Sequence, residues 1–147
     1  MRYFEDIREG EVTQLGSVEV TREEIMEFAR RYDPQPFHVD EEAAALSPYG
    51  GLIASGWHTA AMFMRLFVDA ILLDSASVGS PGVEELRWLH PVRPGDVLTG
   101  RVRVVETRES QRNPTRGTVI TESEAINQDG EVVMRMRARG FFARRGT

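Results

Sequence analysis

The stretch WHTAAMFMRLFVDAILL, residues 57–73, is apolar at nearly every position. A helix that is apolar on most sides is buried on most sides in a folded protein. Arg65 and Asp69 interrupt the run at an i,i+4 spacing, and the apolar length falls short of the roughly 20 residues that a bilayer requires. We therefore predict a buried central helix over 57–73, and no membrane span.

The segments after this helix have the alternation and turn residues of antiparallel strands. Pro94-Gly95 suits the centre of a type II turn, and Asp129-Gly130 is a hairpin signal. A short earlier strand is predicted within residues 1–20. A curved antiparallel sheet wrapped around the long central helix would bury that helix, so we predict an α+β fold in one domain, residues 1–147. The later strands are predicted at 83–90, 97–107, 115–126 and 131–143.

Two short helices are predicted before the central one. Thr21 is a suitable N-cap, and Glu24 three residues later completes a capping box. Pro34 disfavours helix at the residue before it, so this helix should stop near Tyr32. Asp40 is the predicted N-cap of the second helix, which ends before Gly50.

The segment Tyr32-Asp33-Pro34-Gln35-Pro36-Phe37-His38 places an acid and an imidazole five residues apart. In a helix five residues turn a side chain by about 140°, and in an extended chain they span roughly 16 Å. Only a turn can therefore bring Asp33 and His38 together, and two prolines would stiffen it. Such a pair suits general acid–base catalysis. The alternative is that Asp33 merely closes a helix and His38 is an ordinary, partly buried histidine.

The composition excludes several kinds of chemistry. All 18 basic residues are arginines, so no lysine side chain is available for a Schiff base, and the absence of cysteine excludes thiolate nucleophiles, disulfides and cysteine-ligated metals. The histidines His38, His58 and His90 are too scattered to predict a metal site. A net charge of −5 does not favour nucleic-acid binding. The polar N-terminal residues give no sign of a signal peptide, so we expect a cytoplasmic protein.

Residues 134–139, Met-Arg-Met-Arg-Ala-Arg, alternate strictly, which predicts a strand with one arginine face and one apolar face. The arginine face is interpreted as solvated, or alternatively as a contact for phosphate or an acidic partner.

Several motifs together resemble the MaoC-like dehydratases, the (R)-specific enoyl-CoA hydratase group with the hot-dog fold. The first two are Asp33-Pro34-Gln35-Pro36-Phe37-His38 and Gly51-Leu52-Ile53-Ala54-Ser55-Gly56, which precedes the apolar helix. The likeness continues through residues 90–98 and 127–131. Gln35 stands where the family often has asparagine.

The resemblance implies a hydratase/dehydratase that adds water reversibly to a trans-2-enoyl thioester of coenzyme A or acyl carrier protein, giving the (R)-3-hydroxyacyl thioester. It implies that Asp33 and His38 hold a water and move protons. It also implies that Gly56, at the free amide end of the helix, contacts the thioester. No cofactor and no metal are implied, and His58 and His90 are interpreted as structural.

Two other functions stay open at this point. A hot-dog thioesterase would hydrolyse the thioester with a carboxylate in or near the central helix, where Asp69 lies well beyond the first turns. A non-catalytic acyl-thioester-binding domain would keep the shape without the reaction. Because one hot-dog unit leaves a sheet edge or face uncovered, we expect at least a homodimer.

Overall fold

A computed structural model describes residues 1–147. The chain forms four α-helices, five strands and two single turns of 3₁₀-helix at Phe4–Asp6 and Leu72–Asp74. The elements in chain order are β1 (Val12–Glu19), α1 (Arg22–Tyr32), α2 (Pro36–Val39), α3 (Glu41–Ala45), α4 (Gly56–Ala70), β2 (Gly82–Trp88), β3 (Val97–Glu109), β4 (Arg116–Ile126) and β5 (Val132–Ala143).

The five strands form one antiparallel sheet in the order β1-β3-β4-β5-β2. The two predicted turns lie at its ends. Gly95 has a φ of +89° after Pro94, and Gly130 has a φ of +80° in the hairpin that joins β4 to β5. The sheet, with α4 as the long central helix, has the hot-dog architecture, and the predicted α+β fold class is confirmed.

The first helix begins as its sequence predicts. The Thr21 hydroxyl accepts a hydrogen bond from the Glu24 backbone N–H at 3.2 Å, and the Asp40 carboxylate caps α3 by accepting from the Glu42 and Ala43 N–H groups. These caps satisfy donors that the first turn of a helix leaves free.

Helix α4 packs one face against the sheet. Gly100 on β3 allows close approach, since a Cβ there would lie 2.8 Å from the Leu15 side chain and 3.0 Å from the Phe63 ring. The buried side chains of α4 are those of His58, Thr59, Met62, Phe63 and Leu66.

Two predictions about this helix are wrong. It ends at Ala70, where the chain tightens into a 3₁₀ turn, and it is buried on one face rather than on most sides. Trp57 is 59% exposed and Met64 46% exposed, because the sheet of a single chain covers only the opposite face. Exposed apolar patches often mark interaction sites.

The helical segment Gly56–Asp74 is long and apolar enough to cross a membrane by length and composition. Length therefore does not exclude a span, contrary to the argument from the sequence. Core helices of soluble proteins pass the same criterion, and the inner face of this helix packs on the sheet.

The arginine face of β5 is paired within the chain. Arg137 donates to Glu84 on β2 at 3.0 Å and to Glu122 on β4 at 2.8 Å. Arg135 and Arg139 are paired likewise, with Glu124 and Glu84. The glutamates that pair with these arginines come from the neighbouring strands β2 and β4, so the positive charges of this face are balanced within the chain.

Candidate active site

Asp33 and His38 are brought together by two helix ends. Helix α1 stops at Tyr32, and Asp33 is its C-cap, donating its backbone N–H to the Ala29 carbonyl at 2.8 Å. Pro36 then begins the single turn of α2, which swings His38 back toward the acid. The Nε2 atom of His38 lies 3.4 Å from Oδ2 of Asp33. The two side chains therefore face each other, and their catalytic role remains a prediction.

Hydrogen bonds orient both oxygens of the Asp33 carboxylate. The Ser55 hydroxyl donates to Oδ2 at 2.7 Å, and the Gln35 side-chain amide donates to Oδ1 at 2.8 Å. Partial burial by itself raises the pKa of Asp33, but the hydrogen bonds from Ser55 and Gln35 and the nearby His38 outweigh it, so the pKa lies below its ordinary value. Asp33 is consequently a carboxylate at neutral pH.

The orientation of His38 determines its tautomer. Its Nδ1 lies 2.7 Å from the Ile53 carbonyl oxygen, which can only accept, so Nδ1 carries a proton. In the neutral ring Nε2 is then an acceptor, and it faces a carboxylate oxygen that is also an acceptor. A molecule lying beside the pair that donates to both atoms would satisfy these two acceptors. Water is such a molecule.

The start of α4 lies beside this pair. Ser55 is the N-cap, and its hydroxyl accepts from the Trp57 N–H at 3.3 Å while it donates to Asp33. The Gly56 N–H donates to no acceptor in the chain. A free N–H at the positive end of a helix is suited to stabilise developing negative charge.

The structure shows a different reason for glycine at position 56 from the predicted close approach of substrate. A Cβ there would lie 2.4 Å from the indole of Trp88, so Gly56 leaves room for this ring to pack over the start of α4. The Trp88 ring in turn meets Trp57 edge to face, with centroids 5.1 Å apart. The last residue of β2 thereby forms one wall beside the first turn of the helix.

Asp33, His38 and Gly56 all line one open cavity of about 570 Å³. That volume is typical of small-molecule sites. Thr59, one turn along α4 from Ser55, also lines it. The cavity is further lined by Gln35, Phe37, Tyr49, Ile53, Ala54, Trp57, Trp88, Leu89, His90, Pro91 and Val92.

The other two histidines lie apart from the pair. His58 is buried and stacks on Phe28 with centroids 4.9 Å apart, and its Nδ1 has no hydrogen-bond partner. Burial lowers the pKa of His58 below its ordinary value, although the Glu24 charge opposes this. His90 is half exposed at the cavity edge, with Nδ1 3.9 Å from a Glu131 carboxylate oxygen.

Sequence reasoning missed Ser55 and Trp88 as parts of the site. A signal for Ser55 existed, because a serine directly before an apolar helix is a common N-cap and must lie at the end where Gly56 was predicted to act. Trp88 had no such signal, since it reaches Gly56 only through the pairing of β2 at the sheet edge.

The comparisons with known proteins agree with this geometry. A family model described as a MaoC like domain matches residues 5–126. The chain is 30% identical over 145 residues to an (R)-specific enoyl-CoA hydratase of Rhodospirillum rubrum, covering 95% of each protein. It is 28% identical to a 3-hydroxybutyryl-CoA dehydratase of Methylorubrum extorquens, covering 91% of this chain and 83% of that protein.

A solved structure shows the same architecture. The crystal structure of a MaoC-like dehydratase from Rhodospirillum rubrum superposes with a TM-score of 0.91 at 43% identity, covering 99% of each chain. The motifs, the hot-dog fold and these similarities agree, and the chain belongs to the MaoC-like dehydratase family.

Proposed function

We propose that this protein is a lyase that adds water reversibly to trans-2-enoyl thioesters, giving (R)-3-hydroxyacyl thioesters. The observation that carries the proposal is the 3.4 Å approach of His38 Nε2 to Asp33 Oδ2 inside a cavity that Gly56, whose N–H is free, also lines. The names of the relatives in Rhodospirillum rubrum and Methylorubrum extorquens support the same reaction class.

The pair can hold the attacking water. A water donating one hydrogen bond to Asp33 and one to His38 turns its oxygen lone pairs toward the substrate. Because the pKa of Asp33 is lowered, its carboxylate is a weak base, and we propose His38 Nε2 as the group that takes the proton from water. Asp33 then keeps its negative charge and stabilises the imidazolium that forms.

Asp33 and His38 account for every proton moved in the hydration of the double bond. The water oxygen forms a bond to the β-carbon, the electrons of the double bond move to the thioester oxygen, and His38 Nε2 takes the proton that water loses. The enolate then receives a proton at the α-carbon, which the His38 imidazolium can return. The Gly56 N–H would stabilise the enolate oxygen before that return.

The thioesterase alternative receives no carboxylate from α4 itself at the cavity. Asp69, near the end of α4, is exposed and forms an ion pair with Arg65 at 3.0 Å, away from the cavity. Ser55 is also not placed as a nucleophile, because its hydroxyl donates to Asp33 rather than to His38.

The remaining parts of the proposal concern the molecule as a whole. We propose that residues 1–147 form one hot-dog domain acting in the cytoplasm on CoA or acyl carrier protein thioesters, without a cofactor and without contact to nucleic acid or membrane. A homodimer or larger homo-oligomer is supported by the exposed Trp57 and Met64 of α4 and by the exposed edge strand β2.

Purified protein mixed with crotonyl-CoA tests the reaction. We expect the enoyl absorbance to fall while no free thiol appears, and chiral analysis to identify the product as the (R)-3-hydroxy thioester. Release of free thiol would show that the protein is a thioesterase instead. Tight binding without either product over a range of acyl chain lengths would replace it with a binding domain.

A further inference from the structure

Arg93 differs from most arginines in this chain because no carboxylate neutralises its side chain. Twelve of the 18 arginines form an ion pair within 4.0 Å, and Arg93 is not among them. In a protein of net charge −5, an arginine without a carboxylate partner is a candidate for binding an external anion.

The guanidinium of Arg93 is held at the edge of the candidate active site. Its Nη2 donates to the Tyr49 carbonyl oxygen at 2.7 Å, and Tyr49 lines the cavity. Its chain neighbour Val92 lines the cavity too, and the Val92 carbonyl accepts from the Ala54 N–H at 2.8 Å. One hydrogen bond thus orients a side chain that has five N–H donors, and the others remain available.

Hydrogen bonds hold the turn that carries Arg93, and they also engage the acid of that turn, Asp96. Asp96 Oδ2 accepts from the Arg93 backbone N–H at 2.9 Å, and Oδ1 accepts from the Gln128 side chain at 2.9 Å. The acid closest in sequence is therefore engaged with other donors. Gly51 lies beside the guanidinium, since a Cβ there would be in ordinary van der Waals contact with Nη1 of Arg93, at 3.4 Å.

We propose that Arg93 binds a phosphate of the substrate's carrier, the part of the thioester substrate that extends out of the cavity. This inference rests on the proposed function, because CoA and the pantetheine arm of acyl carrier protein both bear phosphate beyond the thioester. A guanidinium held by a backbone carbonyl at the cavity edge matches the planar, bidentate geometry that arginine offers to phosphate.

The test compares thioesters that differ only in phosphate. For Arg93→Gln we expect the KM for crotonyl-CoA to rise about five- to tenfold with kcat within about twofold of wild type, because an exposed charge-assisted contact affects binding and not chemistry. The KM for crotonyl-pantetheine, which has no phosphate, should be the same in both proteins. Arg93→Lys should restore part of the affinity for crotonyl-CoA.

Further arms identify the phosphate and control for charge. A rise in KM with crotonyl-4′-phosphopantetheine as well as crotonyl-CoA assigns the contact to the phosphate next to pantetheine, and a rise with crotonyl-CoA alone assigns it to the nucleotide phosphates. Arg112→Gln, which removes another arginine without an ion pair from the β3–β4 connection, should leave every KM unchanged.

Two results would overturn the inference. An equal rise in KM for crotonyl-CoA and crotonyl-pantetheine would mean that Arg93 only supports its turn, and no rise for either would mean that it contacts no substrate. If the wild type hydrates no thioester, the proposed function fails separately. In that case calorimetry measures the Kd for CoA. The inference requires a higher Kd for Arg93→Gln than for the wild type, and an equal Kd would overturn it.

Discussion

Replacing Ser55 with alanine removes two interactions that contribute to the free energy of unfolding, and only one of the two contributions depends on pH. The hydroxyl caps α4 by accepting from the Trp57 N–H and donates to the Asp33 carboxylate at 2.7 Å. Loss of an N-cap costs about 1 kcal/mol, and loss of a hydrogen bond to a charged group costs about 1.5 kcal/mol or more. We expect Ser55→Ala to lower the free energy of unfolding by about 2 to 3 kcal/mol at pH 7.

The pH dependence follows from the lowered pKa of Asp33. Because its folded-state pKa lies below the ordinary value of 3.8, the interactions of its carboxylate stabilise the fold above that pH. They are lost as the pH falls through the folded-state pKa. The penalty of Ser55→Ala should therefore shrink on going from pH 7 to below 3.8, toward the capping contribution of about 1 kcal/mol.

Urea unfolding of wild type and variant across this range measures the penalty. Ser55→Gly is the matched variant, since glycine is tolerated at an N-cap and its penalty reports mainly on the Asp33 contact. Ser17→Ala on the exposed part of β1 should cost nothing at any pH. A Ser55→Ala penalty that is constant with pH, or below about 0.5 kcal/mol at pH 7, would refute the reasoning.

Three further predictions concern packing and charge. Gly56→Ala should destabilise the fold by about 1 to 3 kcal/mol by displacing Trp88, and the loss should be largely recovered in the double variant with Trp88→Ala; additive losses in urea unfolding would contradict this. Gly100→Ala should cost about the same by pushing Leu15 away, and an unchanged unfolding midpoint would argue against it. Burial lowers the pKa of His58, so below pH 6.5 the unfolded chain binds a proton that the folded chain does not, and the free energy of unfolding should fall as the pH drops. His58→Phe should make the free energy of unfolding less dependent on pH in this range. An equal pH dependence in both proteins would exclude His58 as its source.

Local signals in the sequence predicted most elements of the fold. Thr21, Pro34 and the Asp129-Gly130 pair act within a few residues, so they placed the ends of α1 and the β4–β5 hairpin close to the observed positions. The predicted strands agree with the observed ones to within about two residues, the uncertainty expected of any strand boundary.

What the sequence did not predict depends on contacts between distant residues. Ser55 is 22 residues from Asp33, and Trp88 reaches Gly56 only because β2 pairs with β5 at the edge of the sheet. The burial of α4 was overestimated because an apolar residue such as Trp57 indicates a need for cover and does not say whether the sheet or a second chain provides it.

The most direct test of the account is the rate at which Asp33→Asn hydrates crotonyl-CoA. Asparagine keeps the size of the side chain but removes the charge that orients the water and stabilises the His38 imidazolium. We expect kcat to fall at least about 100-fold with the fold and the thioester affinity retained, and a similar fall for His38→Ala. An Asp33→Asn protein that retained a tenth or more of the wild-type kcat would contradict the central role of this pair.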